Sequence, residues 1–226
     1  MKTLATIILV FCCTASTVCA QKTGFAAFLR IASMNMPDAK SVTPQIIPDV
    51  TGFSQTFTGT GGELSYKYNK LMADADILLL TQRPVNSGEH FAEQFSGSVV
   101  VKTGFVIIET NNIYIYPVVG AGIAGLLVNT YTKRSGTKEQ MHSIYMIQPV
   151  FDAGVNTDVV IYWFKEKLPS GALPVGLRAG YRFAGTGDNW KRLIEPAMKP
   201  RQFSVSGWYV SIALGIGYYK TSNTSK

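Results

Sequence analysis

The feature that most constrains this chain is a two-residue alternation that keeps the ionised side chains of each segment on a single face. In 206–219, SGWYVSIALGIGYY, one parity holds Trp208, Val210, Ile212, Leu214, Ile216 and Tyr218, and the other holds Tyr209, Ser211, Ala213, Gly215, Gly217 and Tyr219. Successive side chains of a strand point to opposite faces, so this period specifies β-structure. Segment 151–163 repeats it, with Phe151, Ala153, Val155, Val159, Ile161 and Trp163 opposite Asp152, Gly154, Asn156 and Asp158. Segment 175–183 does the same, setting Val175, Leu177, Ala179, Tyr181 and Phe183 against Gly176, Arg178, Gly180 and Arg182.

Extending the pattern backwards predicts eight strands, at 24–34, 57–69, 71–82, 95–109, 112–129, 145–163, 173–185 and 206–219. The connections alternate in length. Short ones fall at 69–70, 110–111 and 164–172, while 35–56, 83–94, 130–144 and 186–205 are long and rich in Pro, Gly, Ser, Asn and charge. Short turns at one end and long loops at the other define an all-β, eight-stranded antiparallel up-and-down transmembrane barrel.

The strand charges decide which face looks inward. One face carries ten: Arg30, Glu63, Lys67, Asp74, Asp76, Lys102, Asp152, Asp158, Arg178 and Arg182. Five are basic and five acidic, so they are suited to neutralise one another in a narrow lumen, which leaves the apolar face for lipid. A soluble ligand-binding barrel would turn these faces round. A solvated face favours Lys, Glu and Thr, whereas this one interleaves its charges with Gly120, Gly154, Gly176, Gly180 and Gly215, small residues fit for a crowded interior. The other face sets Trp208, Tyr218, Trp163, Tyr66, Tyr68, Phe183 and Phe105 near strand ends, where aromatic girdles sit. The uncharged run 110–132 is long enough for a membrane helix, but Pro117, Gly120, Gly122 and Gly125 interrupt it. A helix there would also leave neighbouring strand edges unpaired in lipid. Pro117 cannot donate to a ladder, so a bulge or the barrel rim is expected at that residue.

Composition supports a packed protein: 226 residues, 46 % hydrophobic and only 15 % charged, exclude a disordered polar chain. Lys and Arg total 21 against 14 acids, a formal +7 that loops can absorb without any nucleic-acid partner. Residues 1–20 read as a cleaved secretory leader: Lys2, an apolar stretch from Leu4 to Cys13, and Val18-Cys19-Ala20 before Gln21. Residues 21–226 then form one outer-membrane barrel domain. Cys12, Cys13 and Cys19 all lie in the leader, so neither disulfides nor thiol chemistry is expected of the exported chain.

The segments NNIYIYPVVGAGIAGLLV (111–128), LPVGLRAGYRF (173–183) and GWYVSIALGIGYY (207–219) closely resemble the small outer-membrane β-barrel proteins of Bacteroidetes-type bacteria. The resemblance covers nearly all of the chain after the leader, and the architecture is similar to that of OmpA/OmpX-type barrels. It implies an integral outer-membrane location, contact with outer-membrane lipid and lipopolysaccharide, and insertion by the outer-membrane assembly machinery. It carries no shared catalytic signature. One departure concerns the end of the chain: such proteins often finish on an aromatic residue, whereas Tyr218 and Tyr219 precede a polar tail, Lys220 to Lys226.

Two sets of residues are candidates for function. The lumen charges, with Asp152 and Asp158 facing Arg178 and Arg182, line either a gated polar path or a packed salt-bridge plug. An eight-stranded interior is just wide enough for side chains to fill, which favours the plug. In the outer loops, Lys133, Arg134, Lys138, Lys191, Arg192, Lys199 and Arg201 are placed to meet lipopolysaccharide phosphates or simply to be solvated. His90 and His142 fall beside Ser87, Glu89 and Ser143, residue types that serve lipid-modifying barrel enzymes, but nothing in the sequence fixes that geometry. No metal-ligand spacing, phosphate loop or nucleotide fingerprint occurs, so no cofactor is expected. The sequence therefore favours a non-enzymatic envelope-structural or surface-interaction protein, with a narrow porin-like channel as the alternative and a lipid-modifying enzyme behind it. The first loop, with Pro37, Pro44 and Pro48 beside Ile46-Ile47, either folds over the rim, docks a partner, or remains a mobile Pro-rich connector.

Overall fold

The computed structural model describes residues 23–46, 50, 53–110, 112–134, 137–162, 171–187, 189–194 and 202–219. The leader read from the sequence lies outside them. Eight long strands make the wall: β1 (Thr23–Asn35), β2 (Thr56–Tyr68), β3 (Leu71–Thr81), β5 (His90–Phe105), β7 (Ile113–Arg134), β8 (Thr137–Tyr162), β9 (Gly171–Ala184) and β11 (Gly207–Tyr219). Short pieces β4 (Val85–Ser87), β6 (Ile108–Glu109) and β10 (Lys191–Ile194) border it, and one helix, α1 (Ala39–Ile46), lies between β1 and β2. Each wall strand pairs antiparallel with its neighbours, and β1 closes the cylinder on β11 from Gly24↔Tyr219 to Asn35↔Trp208. Through the middle of the barrel every wall strand is therefore paired on both sides, as a wall without water on its outer side would require.

Burial follows the predicted parity. Along β11, Trp208, Val210, Ile212, Leu214 and Ile216 are exposed on the outside while Tyr209, Ser211 and Ala213 are buried inside. On β1, Leu29 and Ile31 are 65 % and 68 % exposed, flanking Arg30 at 1 %. The outward row from Trp208 to Tyr218 spans ten residue steps; at ~3.3 Å each and a tilt of ~40° it is ~25 Å tall, the height of an outer-membrane apolar band.

Several boundaries differ from the sequence reading. The segment 130–144, expected as a loop, is mostly ladder: β7 and β8 stay paired up to Arg134↔Thr137, with one register shift between Thr130 and Tyr131. The residues are polar on both faces, so the alternation that marks a half-buried strand is absent although the pairing persists. Likewise 83–94 holds β4, a turn with Gly88 at φ 58°, and the start of β5. The predicted strand 95–109 breaks instead at Val106, whose N–H donates to the Lys70 carbonyl (2.7 Å) while its side chain turns into the interior. The bulge considered at Pro117 is not there. Pro117 stays in register with Val155 and falls where pairing to β5 has stopped at Val118 and pairing to β6 has yet to begin at Ile115, so its missing donor leaves no ladder bond unmade. The tight β2–β3 turn uses Asn69 at φ 54°, a left-handed conformation that Asn tolerates.

The interior is packed in tiers. At the short-turn end, Phe28, Met72, Val106, Tyr114, Tyr116 and Val160 form an apolar cluster. At the long-loop end a larger one unites wall residues such as Leu78, Leu126 and Met146 with Val42 of α1 and with Trp190, Phe203 and Val205 of the loop before β11. The described parts of the first and last long loops, α1 and residues 202–206, therefore fold into the mouth and cap it. The charged residues lie between these clusters.

Candidate functional site

The middle tier is built by strands whose inward positions carry charge. All ten predicted lumen residues are buried. Eight of them join in one chain of alternating sign across the barrel. Arg182 holds Asp152 with two hydrogen bonds (Nε–Oδ1 2.9 Å, Nη2–Oδ2 3.0 Å). Lys102 Nζ bridges Asp152 (3.4 Å) and Asp76 (2.6 Å). Arg30 Nη1 bridges Asp76 (2.9 Å) and Glu63 (3.2 Å), and its other nitrogens donate to Ser211 Oγ (3.2 and 2.8 Å). Arg178 then links Glu63 (2.7 Å) to Asp158 (2.6 Å), and the Tyr116 hydroxyl donates to Asp158 (2.9 Å). Four cations and four anions sum to zero. That balance, with the Ser211 and Tyr116 hydroxyls adding hydrogen bonds to Arg30 and Asp158, is the condition under which charge survives burial.

Two of the ten stand apart. Lys67 reaches towards the short-turn end and pairs with Glu109 (3.2 Å), its ammonium 5.0 Å from the Tyr114 ring centroid. Asp74 forms no ion pair among the described residues; it accepts from Ser65 Oγ (2.6 Å) and Asn156 Nδ2 (3.3 Å). The register sets Asp152 opposite Arg182 and Asn156 opposite Arg178, so the expected facing of β8 acids and β9 arginines is present on adjacent strands. The contacts of Arg30 with Asp76 and of Arg178 with Glu63 instead cross the lumen between strands that do not pair.

Sequence reasoning missed the residues that pin the cap. Gln94 donates from Nε2 to the Ala39 carbonyl (3.0 Å) and the Thr43 hydroxyl (2.9 Å), tying α1 to β5. Gln148 donates to the Phe203 carbonyl (2.9 Å) and accepts from the Val205 N–H (3.1 Å), holding the last loop to β8. Gln82 donates to the Ser54 carbonyl (2.7 Å). Asp38 Oδ2 accepts from the Ser204 N–H (3.2 Å), joining the two loops. Each glutamine shares its strand's parity with the lumen charges, and that parity is the signal that would have found it.

Among the described residues, the basic loop positions fall in two places and not in one patch. Lys133 and Lys138 are register partners at the tip of the β7–β8 ribbon, next to Arg134. Lys191 and Arg192 belong to β10, where Lys191 pairs with Tyr145. Tyr145 lies seven residues along β8 from Lys138, about 23 Å of strand. Lys133 and Lys191 are exposed; the side chains of Arg134, Lys138 and Arg192 lie outside the described residues, as do Lys199 and Arg201 altogether. Of the residues considered for catalysis, His90 Nδ1 lies 3.4 Å from the Thr132 hydroxyl, and Ser143 Oγ donates to Asn129 (2.8 Å).

No family model matches the chain, and no curated protein matches it. Solved structures that resemble it include the attachment invasion locus protein Ail of Yersinia pestis, 10 % identical, with a TM-score of 0.43 and coverage of 88 % of this chain and 99 % of that one. Neisserial surface protein A is 14 % identical with a TM-score of 0.34, covering 87 % and 95 %. AlkL, solved in lipid bilayers, is 13 % identical with a TM-score of 0.35, covering 93 % and 96 %.

Proposed function

We propose that this protein is an integral outer-membrane barrel with a sealed lumen, acting as a non-enzymatic structural or surface-interaction protein through its long-loop face. The observation that carries the reading is the filled interior: a neutral chain of ion pairs between two apolar clusters, capped by α1 and residues 202–206. A solute would have to break buried salt bridges and displace both caps. The membrane placement rests on the exposed Leu, Ile, Val and Phe of every wall strand and on the aromatic residues Trp208 and Tyr218 at opposite ends of β11. Kinship with small barrels of Bacteroidetes-type bacteria rests on segments 111–128, 173–183 and 207–219. Insertion by the assembly machinery would then use β11, and the ribbon tip at Lys133, Arg134 and Lys138 would meet lipopolysaccharide phosphates.

Planar bilayers test the sealed lumen. The folded protein is expected to give no unitary currents; steady channels that respond to neutralising Arg178 or Asp158 would overturn the proposal in favour of solute passage. Replacing Lys133, Arg134 and Lys138 by glutamine is expected to weaken lipopolysaccharide association, and unchanged association would remove that contact.

A further inference from the structure

On the outer wall, Thr60, Leu79, Gly97, Gly125 and Ile147 form one unbroken row across five strands, each in register with the next. The two glycines sit side by side in the middle. Around them the apolar wall is dented by about 700 Å³. Phe95 and Leu127 bound the dent towards the loops, Val99 and Ile123 towards the short turns. A methyl group on Gly97 would stand 3.5 Å from Leu79 Cδ2, whereas one on Gly125 would come within 2.7 Å of the Met146 carbonyl oxygen and 3.4 Å of Ile147 Cγ1, so the floor at the two glycines is bare backbone flanked by the Leu79 and Ile147 side chains.

The dent also lies at a particular height. Two residues above Phe95 and Leu127 the outward pair is Glu93 and Asn129, where the apolar wall ends. Level with Leu127 comes Tyr145 and then Lys191, exposed on β10. An ammonium thus stands at the upper lip of an apolar recess just below the outer interface. Glu93 lies on the β5 side of that lip, three strand spacings across and two residues along, about 16 Å from Lys191, too far to neutralise it directly.

We propose that this dent is a lipid site: it seats one acyl chain of a phosphate-bearing outer-leaflet lipid, whose phosphate meets Lys191. The assignment rests on the membrane placement argued above. Bare glycine backbone facing a void forfeits dispersion contacts, and a slender, flexible chain reaches a floor recessed between Leu79, Phe95, Ile123 and Ile147, where the convex wall of a second barrel does not. The exposed cation at the lip selects an anionic head.

Native mass spectrometry of the detergent-solubilised protein, equilibrated with equimolar dimyristoyl phosphatidic acid and dimyristoyl phosphatidylcholine, tests this. One phosphatidic acid per barrel is expected to be retained in preference. Gly97→Phe, and independently Ile123→Trp, should lower that retention at least tenfold by filling the dent. Lys191→Gln should abolish the preference while lipid is still retained, and Leu29→Phe on the far wall should change neither. Retention by Gly97→Phe equal to the wild type, or an unselective shell of several lipids, would overturn the site. So would a wild-type dimer that Gly97→Phe separates, since a second copy would then be the occupant. Heat-sensitive gel mobility is read in parallel: a compact barrel with unselective lipid refutes the site alone, whereas a chain that never forms that band refutes the membrane placement beneath it.

Discussion

Removing Arg178 tests whether the lumen is held by balance rather than by any one contact. Its guanidinium, 1 % exposed, satisfies Glu63 and Asp158 together and donates to the Thr157 carbonyl (3.2 Å). In Arg178→Leu, Glu63 keeps Arg30 at 3.2 Å, but Asp158 is left with the Tyr116 hydroxyl as its hydrogen-bonding partner. An uncompensated buried carboxylate costs about 3–5 kcal/mol, so the single variant should lose that much. The double variant Arg178→Leu/Asp158→Leu restores neutrality and removes the orphan. It should recover about 1–3 kcal/mol of the loss, the usual coupling between touching residues. Urea unfolding at equilibrium in phospholipid vesicles, followed by tryptophan fluorescence, measures all three proteins. If the single variant loses less than about 1 kcal/mol, or the double is less stable than the single, the balance argument fails.

Three further outcomes are expected. Ile31→Lys places a charge on the outward face of β1 and should cost about 2–4 kcal/mol at midplane depth in vesicles, with Ile31→Val nearly neutral as its control. Gln94→Leu removes both hydrogen bonds to α1 and should loosen the cap by about 1–3 kcal/mol, read as faster proteolysis within 39–46 while heat-sensitive gel mobility stays unchanged. Gly122→Val would bring a Cβ to 2.7 Å from the Val100 Cα, a backbone contact that cannot be relieved by a rotamer, so the yield of folded barrel should fall sharply.

The wall was legible because an apolar outer face and packed charge inside impose opposite chemistry on alternate residues, and Leu29-Arg30-Ile31 states that rule in three positions. Where the rule lapses, so does legibility. From Asn129 to Ser143 the ribbon has no continuous apolar outer face, its sequence loses the period, and a ladder reads as a loop. Helix α1 was hidden by Pro44, which removes one donor, although Gln45 Nε2 donates to the Ser41 carbonyl (2.9 Å) and supports that turn from a side chain. Parity placed the lumen charges inside but not their partners. Lys67 and Asp74 share the parity of Glu63 and Asp76, yet only the latter two enter the chain. Which inward charges meet depends on their height across the lumen, and sequence spacing along one strand does not encode the stagger of a strand on the far side.

The tiers also explain why the charge is placed at mid-height. An all-apolar interior would make the inner face as lipophilic as the outer, so either face of each ribbon would be equally content against hydrocarbon and the direction of closure would be unspecified. Arg30, Lys102, Arg178 and Arg182 settle it, because a barrel turned inside out would expose every one of them, with Asp76, Asp152 and Asp158, to acyl chains at several kcal/mol each. The apolar clusters above and below keep water from those pairs and strengthen them electrostatically. The glutamines then matter for a different reason: by fixing loop backbone at the mouth, Gln82, Gln94 and Gln148 give the long-loop end of the barrel a defined surface.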